Sequence, residues 1–158
     1  YPDGPVAVYA PQIYIYSEPT AAEAAAFDVV INVARELPAG ATHTRAGAGR
    51  PEYVSVAWEH NSKITPDLPF LTALMAARAA EGKRVLVHCQ CGVSRSACLI
   101  VAFVMKERGW DLNRAYMWVK RRAPAIGPNM RLIYQLMEWG KTVGGDGRDG
   151  RDDDDSDA

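Results

Sequence analysis

Apolar positions along this chain switch between a period of two and a period of about 3.6, and the switches mark out alternating strands and helices. Val6 to Tyr9 and Gln12 to Tyr16 read as two short strands broken by Pro11. Phe27-Asp28-Val29-Val30-Ile31-Asn32-Val33 is a β-branched run of the kind that belongs to a strand covered on both faces. Tyr53 to Val56 alternates as a further strand, and Arg84-Val85-Leu86-Val87-His88 is the last one. Helical spacing fills the intervals. Thr20 with Glu23 makes a capping box over an Ala-rich helix. Thr65 offers an N-cap with Pro66 at the first helical position, and Leu68, Leu71, Leu74 and Met75 form an apolar stripe running up to Gly82. Ser96 to Arg108 is apolar on nearly every side, which predicts a central buried helix closed by Gly109. Asp111 caps the next helix, which ends at Ala123 before Pro124, and Pro128 or Asn129 starts a third that stops near Gly140. The stretch from Glu36 to Glu52, with Pro38, Gly40, Gly47, Gly49 and Pro51, reads as loop. Interleaving of this kind predicts an α/β domain: a central, mainly parallel, twisted sheet of about five strands flanked by helices.

Composition narrows the picture. A chain of 158 residues with 48% hydrophobic and 23% charged residues fits one ordinary globular domain, expected over residues 1–143. The net charge of −1 is unevenly spread. From Lys141 to Ala158 seven aspartates face three basic side chains, a balance of −4, which leaves +3 for residues 1–140. Residues 144–158 carry glycine and charge but no large apolar side chain, so a disordered acidic tail is expected there. The mildly basic body suits anionic substrates and is too weak to predict nucleic-acid binding. No run of about 18 apolar residues exists, so no membrane-spanning helix is expected. Three cysteines, an odd number, argue against a disulfide scaffold and for a reducing cytoplasmic or nuclear setting. The chain starts on Tyr1 rather than Met and opens without a basic-then-apolar leader, so it reads as an excised domain, expected to act as a monomer.

The chemistry concentrates in Val85-Leu86-Val87-His88-Cys89-Gln90-Cys91-Gly92-Val93-Ser94-Arg95-Ser96. A buried strand runs into a tight glycine-containing loop, which runs straight into an apolar helix. Such a turn aims successive backbone N–H groups and the positive end of a helix dipole at one point, an anion site. A cysteine at its mouth is favoured as the nucleophilic thiolate. Arg95, six positions after Cys89, stands where the helix begins, and its planar fork can grip two phosphate oxygens. Nucleophile, cradle and clamp converge on a tetrahedral dianion.

This Cys-x5-Arg pattern, with His88 before the cysteine, Gly92 inside the loop and Ser96 after the arginine, resembles the protein tyrosine phosphatase superfamily in its dual-specificity, MAP kinase phosphatase-like branch. The likeness extends over most of the chain. Ile13-Tyr14-Ile15-Tyr16-Ser17 looks like the family's opening strand and Ile31-Asn32-Val33 like its second core strand. Ala115-Tyr116 through Val119-Lys120 and Ile126-Gly127-Pro128-Asn129 look like its late helix pair and connecting turn. Trp58-Glu59-His60-Asn61 together with the cysteine loop is most similar to fungal members. The resemblance implies the cysteine-phosphatase fold and a phosphorylated protein, a MAP kinase, as substrate and partner. Cys89 would attack phosphorus, while Arg95 and the backbone amides of Gln90, Cys91, Gly92, Val93, Ser94 and Arg95 would hold the equatorial oxygens. Ser96 would hydrogen-bond the thiolate and help it leave in the second step, and His88 would brace the loop and help keep the thiol ionised rather than act as a base. No metal or other cofactor is implied, and the Cys89–Cys91 spacing lacks the second ligand pair of a zinc site. Neutral residues inside the loop argue against phosphoinositide and RNA-triphosphate substrates.

One departure stands out. The family places an Asp about thirty residues before the cysteine to protonate the leaving oxygen, and no Asp occupies that place here. Glu59, 30 residues upstream, is the nearest carboxylate, His60 is its neighbour, and Asp67 lies 22 upstream at the start of a helix, where it could equally serve the helix dipole. The missing Asp also motivates a different reading, a pseudophosphatase that binds phosphoproteins without turning them over. A sulfur transferase built on the same loop type is a third. Cys91 could capture an oxidised Cys89, against the strain of so small a ring, and Cys98 reads as a core residue. Lys120-Arg121-Arg122 reads either as a basic patch for a second anion or as cations at a helix C-terminus.

Overall fold

A computed structural model of the chain describes residues 3–9, 11–35, 43–44, 46–47 and 49–144. In chain order the elements are β1 (Val6–Tyr9), β2 (Ile13–Tyr16), α1 (Ala21–Ala24), β3 (Val29–Asn32), β4 (His43–Thr44), β5 (Glu52–Ser55), a 3-10 turn (Thr65–Asp67), α2 (Leu68–Ala80), β6 (Val85–His88), α3 (Arg95–Arg108), α4 (Leu112–Arg122) and α5 (Met130–Val143). The six strands form one sheet in the order β1-β2-β6-β3-β5-β4. β2, β6, β3 and β5 run parallel, and the antiparallel β1 and β4 close the two edges. β6 lies between β2 and β3, with His88 in register with Tyr16 on one side and Asn32 on the other. The segment after His88 therefore leaves the sheet at the carboxyl end of its central strand, where parallel sheets bind ligands.

Strand periodicity sorts the side chains into two layers. Ile13, Ile15, Val29, Ile31, Val85 and Val87 join the large core shared with the four long helices. Val30 and Leu86 point to the other face and meet Ala24 and Phe27, with Tyr14 and Tyr16 at the margin. α3 occupies the centre of the large core, and its residues from Arg95 to Met105 are all buried. Trp139 of α5 donates its indole N–H to the Ala102 carbonyl across that core at 3.0 Å. No helix among the described residues is long and apolar enough to cross a membrane.

Several boundaries differ from the sequence-based expectation, each for a physical reason. The Thr20–Glu23 capping box forms with both of its hydrogen bonds, but it starts only one turn of helix. Thr65 does not cap α2: Thr65–Asp67 tightens into a 3-10 turn, and α2 begins at Leu68. The Asp67 carboxylate at this junction makes no capping bond, because it accepts the indole N–H of Trp58 at 2.8 Å. β4 lies in the stretch read as loop, where His43–Thr44 pairs antiparallel with Tyr53–Val54 of β5. α5 runs past Gly140 to Val143, because Gly140 is buried inside the helix and Gly144, at φ 79°, supplies the left-handed residue that ends it. The expected acidic tail lies outside the described residues beyond Gly144.

The basic run at the end of α4 is largely spent on structure. Lys120 Nζ donates to the carbonyls of Pro124 and Ile126 at 2.8 and 2.6 Å, tying down the turn between α4 and α5. Arg122 lies 3.6 Å from the Trp118 ring centroid and donates to the Trp118 carbonyl at 3.1 Å. Replacing Lys120 by Met keeps the aliphatic stem and removes both charge-assisted bonds. The expected outcome in urea unfolding is a loss of about 1–2 kcal/mol, since bonds from charged donors are worth that order each and the site is partly solvated.

Candidate active site

The segment Cys89–Ser94 joins β6 to α3 in six residues. Gly92 sits at φ 73°, a left-handed conformation that a residue with a Cβ resists, and this lets the loop curl back over Cys89. Two groups converge on the sulfur. The Gly92 N–H donates to Cys89 Sγ at 3.3 Å, and Ser96 Oγ lies 3.2 Å from it. Donors aimed at a sulfur stabilise negative charge on it. Cys89 is buried at 2% exposure.

The start of α3 is arranged for an anion. Ser94 stands at the N-cap position, yet its side chain makes no capping hydrogen bond; its hydroxyl instead accepts the Asn129 backbone N–H at 3.3 Å. The positive end of the helix dipole is left facing the loop. Arg95, 2% exposed, is the first residue of α3 and donates from Nη1 to the Trp58 carbonyl at 3.0 Å, which fixes the plane of its guanidinium beside the loop. The outside of the loop is braced by Glu18 N–H to the Gln90 carbonyl at 3.1 Å and Gly127 N–H to the Val93 carbonyl at 2.7 Å.

His88 is buried, and its Nδ1 donates to the Cys89 carbonyl at 3.4 Å. Burial holds the imidazole below its ordinary pKa, and the bond to the carbonyl offsets this only in part. The neutral ring thus orients the first peptide of the loop by a hydrogen bond and carries no charge at neutral pH. Cys98, one helical turn into the core, is buried, and burial together with the nearby Cys89 pushes its thiol well above the ordinary range. Cys91 is exposed.

The three acid candidates occupy different settings. Glu59 is exposed, ion-paired with Arg35 at 3.2 Å, and its backbone N–H donates to Ser62 Oγ at 2.7 Å. His60 is exposed and lines a cavity of about 590 Å³ together with Glu59, Asn61, Asn129, Met130 and Arg131. Asp67 is committed to the Trp58 indole. Sequence reasoning does not single out Trp58, Asn129 or Gln135 as site residues. A Trp three residues after β5 is the available signal for the first, and only the fold brings the other two to the loop. No group of three or more metal-ligating side chains gathers among the described residues.

Comparison with known proteins follows the same lines. Residues 13–142 match the family described as dual specificity phosphatase, catalytic domain. The tyrosine-protein phosphatase MSG5 of Saccharomyces cerevisiae is 49% identical over 141 residues, covering 89% of this chain and 29% of that protein. The tyrosine-protein phosphatase pmp1 of Schizosaccharomyces pombe is 41% identical over 160 residues, covering 90% of this chain and 56% of its own length. This chain therefore spans roughly a third to a half of those relatives. A crystal structure of human DUSP28 superposes with a TM-score of 0.72 at 26% identity, over 88% of this chain and 94% of that one.

The depressed His88 gives a pH prediction with a definite sign. The folded state binds the His88 proton less readily than the unfolded chain. Its contribution to stability is therefore fully present above the unfolded pKa of about 6.5 and is lost as pH falls below it. Thermal melts should show a falling Tm from about pH 7.5 to about pH 5.5. His88→Asn should flatten that dependence, and an unchanged slope would contradict the assignment.

Proposed function

This chain belongs to the dual-specificity phosphatase family, and from that premise we propose that it hydrolyses phosphotyrosine and phosphoserine or phosphothreonine on protein substrates through a cysteinyl-phosphate intermediate. The observation that carries this reading is the convergence on Cys89 Sγ of the Gly92 N–H and the Ser96 hydroxyl, beside a buried Arg95 held by the Trp58 carbonyl. In the first step the thiolate attacks phosphorus as the ester oxygen departs. Arg95 and the loop amides from Gln90 to Arg95 take the charge spread over the equatorial oxygens. In the second step water attacks the cysteinyl phosphate, and Ser96 donates to the departing sulfur.

The leaving oxygen of a serine or threonine ester needs a proton, and we assign its donor to the loop after β5. Glu59 is the carboxylate of that loop. A second reading is favoured by the Glu59–Arg35 ion pair, which occupies the carboxylate: His60, on the same cavity as Asn129, is then the donor. Asp67 is set aside as the support of Trp58. A phosphorylated MAP kinase is the substrate proposed from the family resemblance, in the cytoplasm or nucleus.

Assays with two substrates test the mechanism. p-Nitrophenyl phosphate has a phenolic leaving group that hardly requires an acid, whereas a phosphothreonine peptide does. Wild-type turnover of p-nitrophenyl phosphate abolished by Cys89→Ser is expected; no wild-type turnover would favour the phosphate-binding pseudophosphatase. Glu59→Gln or His60→Gln should lower kcat on the peptide by roughly 10²-fold or more and on p-nitrophenyl phosphate by much less. Equal losses on both substrates would remove that residue from the acid role. Asp67→Asn retains an acceptor for the indole and should slow neither substrate selectively.

A further inference from the structure

α5 presents two carboxamides to the loop that carries Glu59 and His60. Asn129, its N-cap residue, donates from Nδ2 to the His60 carbonyl at 3.0 Å. Gln135, almost two turns on, donates from Nε2 to the Ser62 carbonyl at 2.8 Å. Its Oε1 accepts the Ile64 and Thr65 N–H groups at 2.6 and 3.3 Å. Four hydrogen bonds thus fix the backbone from His60 to Thr65 against a single helix. The same helix start holds the phosphate-binding loop, through Asn129 N–H to Ser94 Oγ and the neighbouring Gly127 N–H to the Val93 carbonyl. Asn129 also caps its own helix by accepting the Leu132 N–H at 2.9 Å. One residue therefore touches the phosphate loop with its backbone, the acid-bearing loop with its amide nitrogen, and α5 with its amide oxygen.

We propose that Asn129, supported by Gln135, is a positioning residue that sets the distance between the proton donor and the phosphate held over Cys89. This rests on the reading that the Glu59–His60 loop supplies the proton. Catalytic groups act only within a few tenths of an ångström of productive geometry, and here both reacting loops are referred to one helix N-terminus. An exposed loop tied by backbone carbonyls to a packed helix arrives in place before substrate binds, and no ordering of the loop is then required in the transition state. Loss of the Nδ2 donor frees the His60 end of the loop while leaving the phosphate loop held by backbone N–H groups. The defect falls on the proton and spares the nucleophile.

Asn129→Ser tests this, because serine keeps a neutral capping oxygen and the backbone N–H and loses only the amide donor. The expected result is a kcat on a phosphothreonine peptide lowered roughly 10-fold, with p-nitrophenyl phosphate within about 2-fold of wild type and Tm nearly unchanged. Asn129→Asp, with an equally good cap but no donor, should reproduce the split between substrates and serves if the serine variant folds poorly. Gln135→Glu, which keeps the acceptor and loses the donor to Ser62, should produce the same split in weaker form. Equal slowing of both substrates, or of neither, by both Asn129 variants overturns the proposal. Glu59→Gln and His60→Gln measured alongside separate the two ways of failing. If one of them splits the substrates and the Asn129 variants do not, the coupling is wrong and the acid assignment stands. If neither does, the acid assignment fails and the coupling goes with it.

Discussion

The burial of Arg95 at the first position of α3 is the constraint on which the rest of the site depends. A guanidinium taken out of water costs several kcal/mol unless fixed acceptors replace its hydration. Here one acceptor is the backbone carbonyl of Trp58, 37 residues earlier in the chain, at 3.0 Å. That carbonyl also accepts the Arg35 N–H, so β3 and β5 exit toward the same point. Trp58 itself is locked from below by its indole bond to Asp67. The orientation of the Arg95 guanidinium thus rests on the backbone of a tryptophan 37 residues earlier in the chain. Asp67, one of the three candidate proton donors, belongs to the same chain of support.

The sulfur of Cys89 is held differently. Cys89 needs no distant partner, because its sulfur is met by Gly92 and Ser96 of its own loop and helix. Such short-range geometry follows from a strand, a six-residue turn with one left-handed glycine, and a buried helix. His88 adds to it as a neutral hydrogen-bond donor to the Cys89 carbonyl rather than as a charge beside the thiol. The sulfur of Cys89 and the loop after β5 therefore rest on separate supports, one local and one tertiary, linked through the start of α5 and through the Arg95–Trp58 bond.

Much of the fold was legible from periodicity. The buried strands around β3 and β6, the apolar middle of α3 and the caps at Asp111 and Asn129 carry strong local signals: β-branched runs, a long apolar run at helical length and side chains that accept amide bonds. What failed to show were features with weak local signals. β4 is two residues long and exists because β5 offers it an edge. The late start of α2 reflects competition for the Asp67 carboxylate between the helix amides and the Trp58 indole, a partner outside the helix that capping rules do not consider. Lys120 reads equally well as a substrate clamp and as a solvated helix end, and only the path of the 124–126 turn decides that its ammonium goes to two carbonyls.

Local sequence was enough for the α/β layering, the central strand–loop–helix unit and the positions of Cys89 and Arg95 within it, because those depend on residues within about a dozen positions of one another. The three cysteines also separate in this way: Cys89 at the loop mouth, Cys91 exposed beside it and Cys98 in the core. Only the folded arrangement fixed what holds Arg95, which of the residues around Glu59 are already committed, and how Asn129 and Gln135 reach the loop after β5. These contacts join positions 37 to 73 residues apart through hydrogen bonds to backbone groups, and a backbone carbonyl carries no mark of its partner in the amino-acid sequence.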